Sequence, residues 1–285
     1  MKKTIISCVL FLTAVTAFSQ TPMKTAAEAK LSASDLAVKI ADRILATTTY
    51  EFKNTKTGKT YKSVKNLPLD MNVKVACKYN NWHYTNGVTH IALMELADKT
   101  GAKKYDDYVL KNMNFVFNEG NLDFFKKQYD QAMKNEGWYG VRKLSWHMIF
   151  RGKRLDDNGP MGASLIDLQM KHPNNSFLNY INETAEHLNY GEPRLADGTI
   201  ARIWPHENTI WADDAFMAIS FLARMAKMTG DMSYINDAAN QVIKYHKYLW
   251  CPEKRILYHC YHTDTDEHGV AHWSRANGWV FICLQ

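Results

Sequence analysis

Beyond residue 34, apolar side chains recur at i, i+3, i+4 and i+7 through most of the chain, the spacing of helices that each bury one face. The pattern predicts helices near 35–47, 88–99, 105–117, 122–134, 162–171, 177–188, 213–228 and 234–248, and from 275 to the end. Strand-like runs are short and few, at 199–203 and 255–261, where polar loops separate helices. The chain therefore reads as all-α.

A sequence echo organises these helices. Ala97-Asp98-Lys99-Thr100-Gly101 with Tyr105 matches Ala226-Lys227-Met228-Thr229-Gly230 with Tyr234, and Met170-Lys171-His172-Pro173 with Phe177 is a looser copy. Each copy describes a helix stopped by Gly or Pro, a tight turn, and an aromatic that opens the returning helix. Helical hairpins repeated at intervals of tens of residues imply a solenoid or a closed toroid.

Composition adds compartment more than chemistry. At 285 residues with 46% apolar and 22% charged side chains, the chain has ordinary globular composition and length for a sizeable core. Its first twenty residues, MKKTIISCVLFLTAVTAFSQ, carry two lysines, an apolar run and the small-x-small Ala17-Phe18-Ser19. This reads as a secretory leader over 1–19, followed by a linker at 20–33 and a single domain over 34–285. Export to the periplasm or the medium is expected, with no membrane insertion after cleavage, because no later apolar run spans a bilayer. The formal charge of +6 loses two with Lys2 and Lys3, and the remaining basic residues are scattered, the tightest pairs being Lys126-Lys127 and Lys153-Arg154. No nucleic-acid partner is expected. Cys77, Cys251, Cys260 and Cys283 remain after cleavage; Cys251 and Cys260 flank a turn and could pair, but buried free thiols are the expectation.

The polar and aromatic residues cluster on loops that enter helices, where loops converge on a rigid scaffold. The clusters are RLDDNGPM at 154–161, TIWADD at 209–214, HWSRANGW at 272–279 and NWHYTNG at 81–87. Asp213 and Asp214 stand where a helix needs acceptors for its free N–H groups, so capping accounts for one of them. A second carboxylate beside Trp211 and Phe216, if desolvated, would hold a proton closer to neutral pH. Asp156 and Asp157, before Gly159-Pro160, read alone as turn formers, but two such pairs suit sugar hydrolysis, which uses carboxylates facing one cavity. Arg275, between Trp273 and Trp279, suits a planar carboxylate held against a stacking wall. His259, Cys260, His262, Asp264, Asp266 and His268 look metal-rich, yet a hairpin alternates them to opposite faces and no zinc pattern completes. Neither metal nor cofactor is expected.

Taken together, WADDAFM at 211–217, LDDNGPMG at 155–162, LYH at 257–259 and WSRANGW at 273–279 resemble glycoside hydrolase family 105, the unsaturated rhamnogalacturonyl hydrolases, with family 88 more distant. The resemblance covers roughly residues 80–285. It implies an (α/α)6 toroid with its site at one end, the catalytic aspartate at Asp213 and the second site aspartate at Asp157. It places substrate contacts at His259, Arg275, Trp211 and Trp279; Trp273 and Tyr84 join them as aromatics of the same loops. Asp156 and Asp214, one residue away, stay open as alternatives. Ala276 stands where the family commonly has Gly. Fewer helices are counted than a closed toroid needs, so an incomplete C-terminal part with exposed, association-prone apolar surface is expected.

The implied reaction starts from a sugar whose ring already carries a C4=C5 double bond, the end left by polysaccharide lyases. Asp213 would protonate C4 and then take a proton from the water attacking C5. Another toroidal glycosidase or epimerase acting on saturated sugars, and a non-catalytic carbohydrate-binding protein, are the alternatives. An unsaturated oligosaccharide is the expected partner.

Overall fold

The glycine stops anticipated from the echo are where the hairpins turn. In the computed structural model, which describes residues 32–152 and 154–284, Gly101 (φ 71°) and Gly230 (φ 75°) end their helices in the left-handed conformation, and their N–H groups return to the carbonyls of Ala97 and Ala226. The leader at 1–19, nearly all of the linker at 20–33, Lys153 and Gln285 lie outside the described residues. Of the described residues, 32–42 belong to one compact unit and those from Arg43 onward to another; the hairpins and every candidate site residue belong to the second.

Among the described residues the helices are α1 (Ala33–Thr47), α2 (Tyr84–Thr100), α3 (Lys104–Val116), α4 (Glu119–Val141), α5 (Met148–Arg151), α6 (Leu155–Lys171), α7 (Asn175–Glu186), α8 (Asp213–Thr229), α9 (Met232–Leu249) and α10 (Ser274–Cys283). They pack as hairpins α2–α3, α6–α7 and α8–α9, while α2, α6, α8 and α10 touch in sequence side by side. The latter four form an inner row and their partners an outer one. The first turns of these four meet one another, Gly87 on Pro160, Gly159 on Met217, and Trp279 on Tyr84 and Phe216, so the inner helices present their N-termini at one end. α6 and α8 are buried on nearly all sides, as inner helices must be, whereas α7 and α9 bury one face.

Close approach in this row depends on glycine. A Cβ on Gly159 would lie 1.8 Å from the Met217 carbonyl oxygen of α8, and one on Gly87 would lie 2.3 Å from the Pro160 carbonyl carbon. Helix α6 is thus wedged backbone to backbone between α2 and α8.

The helix predicted from Gly162 begins at Leu155 instead, so Asp156 and Asp157 occupy its first turn and are not turn formers before it. Pro160 is admitted because, near the N-terminus, its missing N–H forfeits only the bond to the Asp156 carbonyl. Helix α4 runs past its predicted end, broken at Gly137 (φ 58°, ψ −148°). Three short antiparallel sheets fill the loops: β1 (Phe52–Asn54) between β2 (Thr60–Tyr61) and β3 (Val73–Val75); β5 (Trp250–Cys251) on β6 (Ile256–Leu257); and β4 (Thr209–Trp211) on β7 (Cys260–His262), itself paired with β8 (Glu267–His268). The run expected as one strand at 255–261 is divided between β6 and β7, and that at 199–203 makes only single bridges at Ile200 and Arg202. The four cysteines are free; Cys251 alone of them is buried outright, so the thiols are less buried than expected. Ile243 of α9, Phe281 of α10 and Leu284, the C-cap of α10, are more than half exposed. No described helix is long and apolar enough to cross a membrane.

Candidate active site

Strand pairing brings the first pair of candidate side chains together. Trp211 of β4 pairs with Cys260 of β7, and the Ala212 N–H donates to the His259 carbonyl. The residues flanking that bridge, Asp213 and His259, therefore meet: Asp213 Oδ2 and His259 Nε2 are 3.2 Å apart. Both atoms are buried, yet they are misaligned and neither has a hydrogen-bond partner. Buried polar atoms without a partner occur elsewhere in this fold too, at Tyr50 and Tyr245 for example, but here two of them face each other between tryptophans, at the end of the inner row. The His259 ring lies between Trp211 at 4.8 Å and Trp273 at 5.0 Å, both edge to face.

Capping does not explain the carboxylates. The N-cap of α8 is Ala212, without a side-chain cap, and Asp213 and Asp214 follow it inside the first turn. Asp214 turns to Arg202, which donates through Nε and a terminal nitrogen at 2.8 and 2.7 Å. Burial pushes Asp214 up to about 6 against the pull of that guanidinium. Burial also opposes the charge on Arg202, but Asp214 and Asp156 outweigh it and hold Arg202 firmly protonated. The guanidinium also lies 4.2 Å over the Trp211 ring and 3.4 Å from Asp156 Oδ2.

The second pair divides in the same way. Asp157 is fully buried, its carboxylate accepting two hydrogen bonds from Arg151 and its carbonyl one from Trp82. Burial raises its carboxyl above the usual range, with Arg151 opposing. Asp156 keeps a side chain 29% exposed and faces Arg202. A small open cleft lies here, lined by Arg154, Asp156, Glu192, Arg202, Trp204 and Asp214 among others.

The aromatic residues complete the end of the inner row. Trp279 of α10 packs against Tyr84 at the start of α2 (6.0 Å) and Phe216 of α8 (5.3 Å), and its indole N–H has no partner. Arg275 is exposed with its guanidinium 3.8 Å above Trp273. Asp213, His259, Trp211 and Trp273 thus form one group; Asp214, Asp156 and Arg202 form a second joined to it through Trp211; Tyr84 and Trp279 meet beside Phe216; Asp157 stands behind with Arg151. Arg202 and Arg151 do not stand out in the sequence as site residues. The one signal for Arg202 is a lone guanidinium inside the apolar run Thr199-Ile-Ala-Arg-Ile203; nothing comparable singles out Arg151.

Known proteins resemble this chain in sequence and in scaffold. The model of the family described as Glycosyl Hydrolase Family 88 matches residues 56–285. Over 171 residues the chain is 25% identical to the unsaturated rhamnogalacturonyl hydrolase YesR of Bacillus subtilis (strain 168), a match that covers 54% of this chain and 47% of that protein. The chain thus spans about half the length of the curated relative it matches. Its structure resembles a family 105 glycoside hydrolase of C. acetobutylicum ATCC 824 (TM-score 0.59, 21% identity, 89% of this chain and 58% of that one). It also resembles the GH76A α-1,6-mannanase of Salegentibacter sp. HEL1_6 (TM-score 0.53, 14% identity, 88% and 62%). At such identities the structural likeness speaks to the toroidal fold, which these two glycosidases share.

Proposed function

Because this chain belongs to glycosyl hydrolase family 88, we propose that it removes a 4,5-unsaturated uronic acid from the non-reducing end of lyase-generated oligosaccharides, of the rhamnogalacturonan or pectin type. The likeness to an unsaturated rhamnogalacturonyl hydrolase supports that substrate class. The observation that carries the reading is the unpartnered couple Asp213 Oδ2 and His259 Nε2, 3.2 Å apart between Trp211 and Trp273.

A vinyl ether conjugated to a carboxylate need not be displaced at C1. Asp213 delivers a proton to C4, and positive charge develops at C5 and the ring oxygen. The same carboxylate then accepts a proton from the water that adds at C5. The resulting hemiketal opens and releases the remaining saccharide. One group acts as acid and then base, so proximity and orientation matter more than nucleophilicity. His259 orients Asp213 and, with Arg275, receives the uronate carboxylate, while Trp211 and Trp273 stack on sugar faces. The parallel inner helices support an anionic substrate, because their N-termini carry partial positive charge. The resemblance puts the second site aspartate at Asp157; its commitment to Arg151 favours Asp156 for holding substrate hydroxyls. Export follows from the leader read at 1–19 and belongs to the same proposal.

The test is a panel of lyase-generated unsaturated disaccharides beside their saturated counterparts, followed by loss of the ultraviolet absorbance of the conjugated double bond. Turnover of the unsaturated set alone is expected. Cleavage of the saturated set would show a conventional glycosidase, and binding without turnover a carbohydrate-binding protein.

A further inference from the structure

We propose that His206, His262 and Asp264 form a site for a divalent transition-metal ion of the zinc class, separate from the catalytic group. One donor atom from each lies within 4.8 Å of the others. His206 Nε2 is 3.8 Å from Asp264 Oδ2, and the two imidazoles are 5.5 Å apart with planes at 88°, so they approach edge to face. Cys260 Sγ lies beside the trio, 3.7 Å from His262 Nε2.

The fold assembles these residues from distant segments. The β4–β7 register pairs Thr209 with His262. The Thr209 hydroxyl donates to the His206 carbonyl at 2.7 Å, and the Thr263 hydroxyl donates to the Asn208 carbonyl at 2.8 Å. The loop bearing His206 is thereby tied to the turn bearing Asp264. The segment 259–268 taken alone offers too few ligands because His206 lies outside it.

The donor chemistry selects the ion. His206 Nδ1 lies 3.2 Å from the Glu207 carbonyl oxygen; a proton donated there leaves the Nε2 lone pair facing the carboxylate. Two lone pairs then face one another with no proton between them, an arrangement a cation relieves. A tetrahedral zinc ion with ligands at about 2.0–2.2 Å needs donors roughly 3.3–3.6 Å apart, a contraction that the exposed His206 and Asp264 side chains reach by rotation. Two imidazoles and one carboxylate suit zinc, nickel or copper, whereas magnesium and calcium favour all-oxygen sets. Solvent supplies the remaining positions, since His206 and Asp264 are exposed and His262 half-buried. The ion would clip the 204–208 loop to the hairpin that also carries His259, a structural role.

Isothermal titration of untagged protein with zinc chloride and, in parallel, magnesium chloride tests this. Saturable one-to-one zinc binding is expected, with no magnesium binding and a rise in Tm of roughly 5–10 °C at a hundredfold excess over Kd. His206→Ala and His262→Ala should each weaken zinc by about tenfold or more, while His172→Ala, at the C-cap of α6, leaves it unchanged. Circular dichroism of each variant confirms folding. Absence of saturable zinc binding, or binding that survives both substitutions in folded protein, would overturn the assignment and leave His206 and Asp264 as a surface ion pair.

Discussion

Asp213 and Asp214 are consecutive on α8, so their side chains leave the helix about 100° apart. That angle sends one toward His259 and the other toward Arg202. Replacing Asp213 with Asn keeps the shape and removes the group proposed to transfer the proton, so turnover of unsaturated disaccharide should fall by about 10²–10⁴ with an unchanged circular dichroism spectrum; undiminished bleaching by this variant would refute its role. Asp214 answers to stability. Its carboxyl, pushed up to about 6 from an ordinary 3.8, binds a proton more tightly in the fold than in the unfolded chain. Its contribution is therefore fully present below about pH 4 and is lost as pH rises through about 6. Arg202→Met removes the guanidinium that opposes this rise and leaves a buried carboxylate unpaired. The variant should lose about 3–5 kcal/mol near neutral pH and less in mild acid, where Asp214 takes up a proton. Urea unfolding at the two pH values measures the difference; equal losses would mean that Arg202 acts through its packing on Trp211.

At the scale of elements, two kinds of glycine can be told apart by what surrounds them. Gly101 has φ of 71° and open space where a Cβ would go, so Gly101→Ala meets only left-handed backbone strain of about 1–2 kcal/mol. Gly159→Ala drives a methyl into the Met217 carbonyl and must part α6 from α8. It should cost at least as much as core overpacking, about 1–3 kcal/mol or more, and lower activity as well, because both carboxylate pairs sit at the N-termini of these helices. Thermal melts and the bleaching assay would compare the two variants; equal effects would contradict the backbone contact. The hairpin stops are legible in the sequence because a left-handed C-cap is a local demand that Gly meets. The contact at Gly159 is not legible, since it depends on which helix lies across from α6. The short strands β1 to β3 leave no sequence signal for a related reason. Runs of two or three residues carry no periodicity, and a partner is what defines them.

Over the whole molecule, four inner helices bring their N-termini to one end, where Tyr84, Asp156, Asp213 and Arg275 stand in the first turns. On the proposed function, the helix dipoles and Arg275 hold the uronate carboxylate at this end. An unsaturated disaccharide whose carboxylate is reduced to an alcohol should lose about tenfold or more in kcat/KM, in line with one or two charge-assisted hydrogen bonds. Arg275→Gln should reproduce most of that loss through KM. If the reduced sugar were turned over as well as the acid, recognition would rest on stacking against the tryptophans alone.

By itself the amino-acid order determined the helical hairpins, their glycine stops, and the loops where acidic and aromatic residues gather, because periodicity, capping and clustering act over a few residues. Tertiary structure alone decided that Asp213 faces His259, that Asp214 and Asp157 are neutralised by Arg202 and Arg151, and that His206 reaches His262 and Asp264. These choices depend on strand register and helix phase between segments distant in the chain, and a side chain's neighbour across a cleft leaves no mark on its own local pattern.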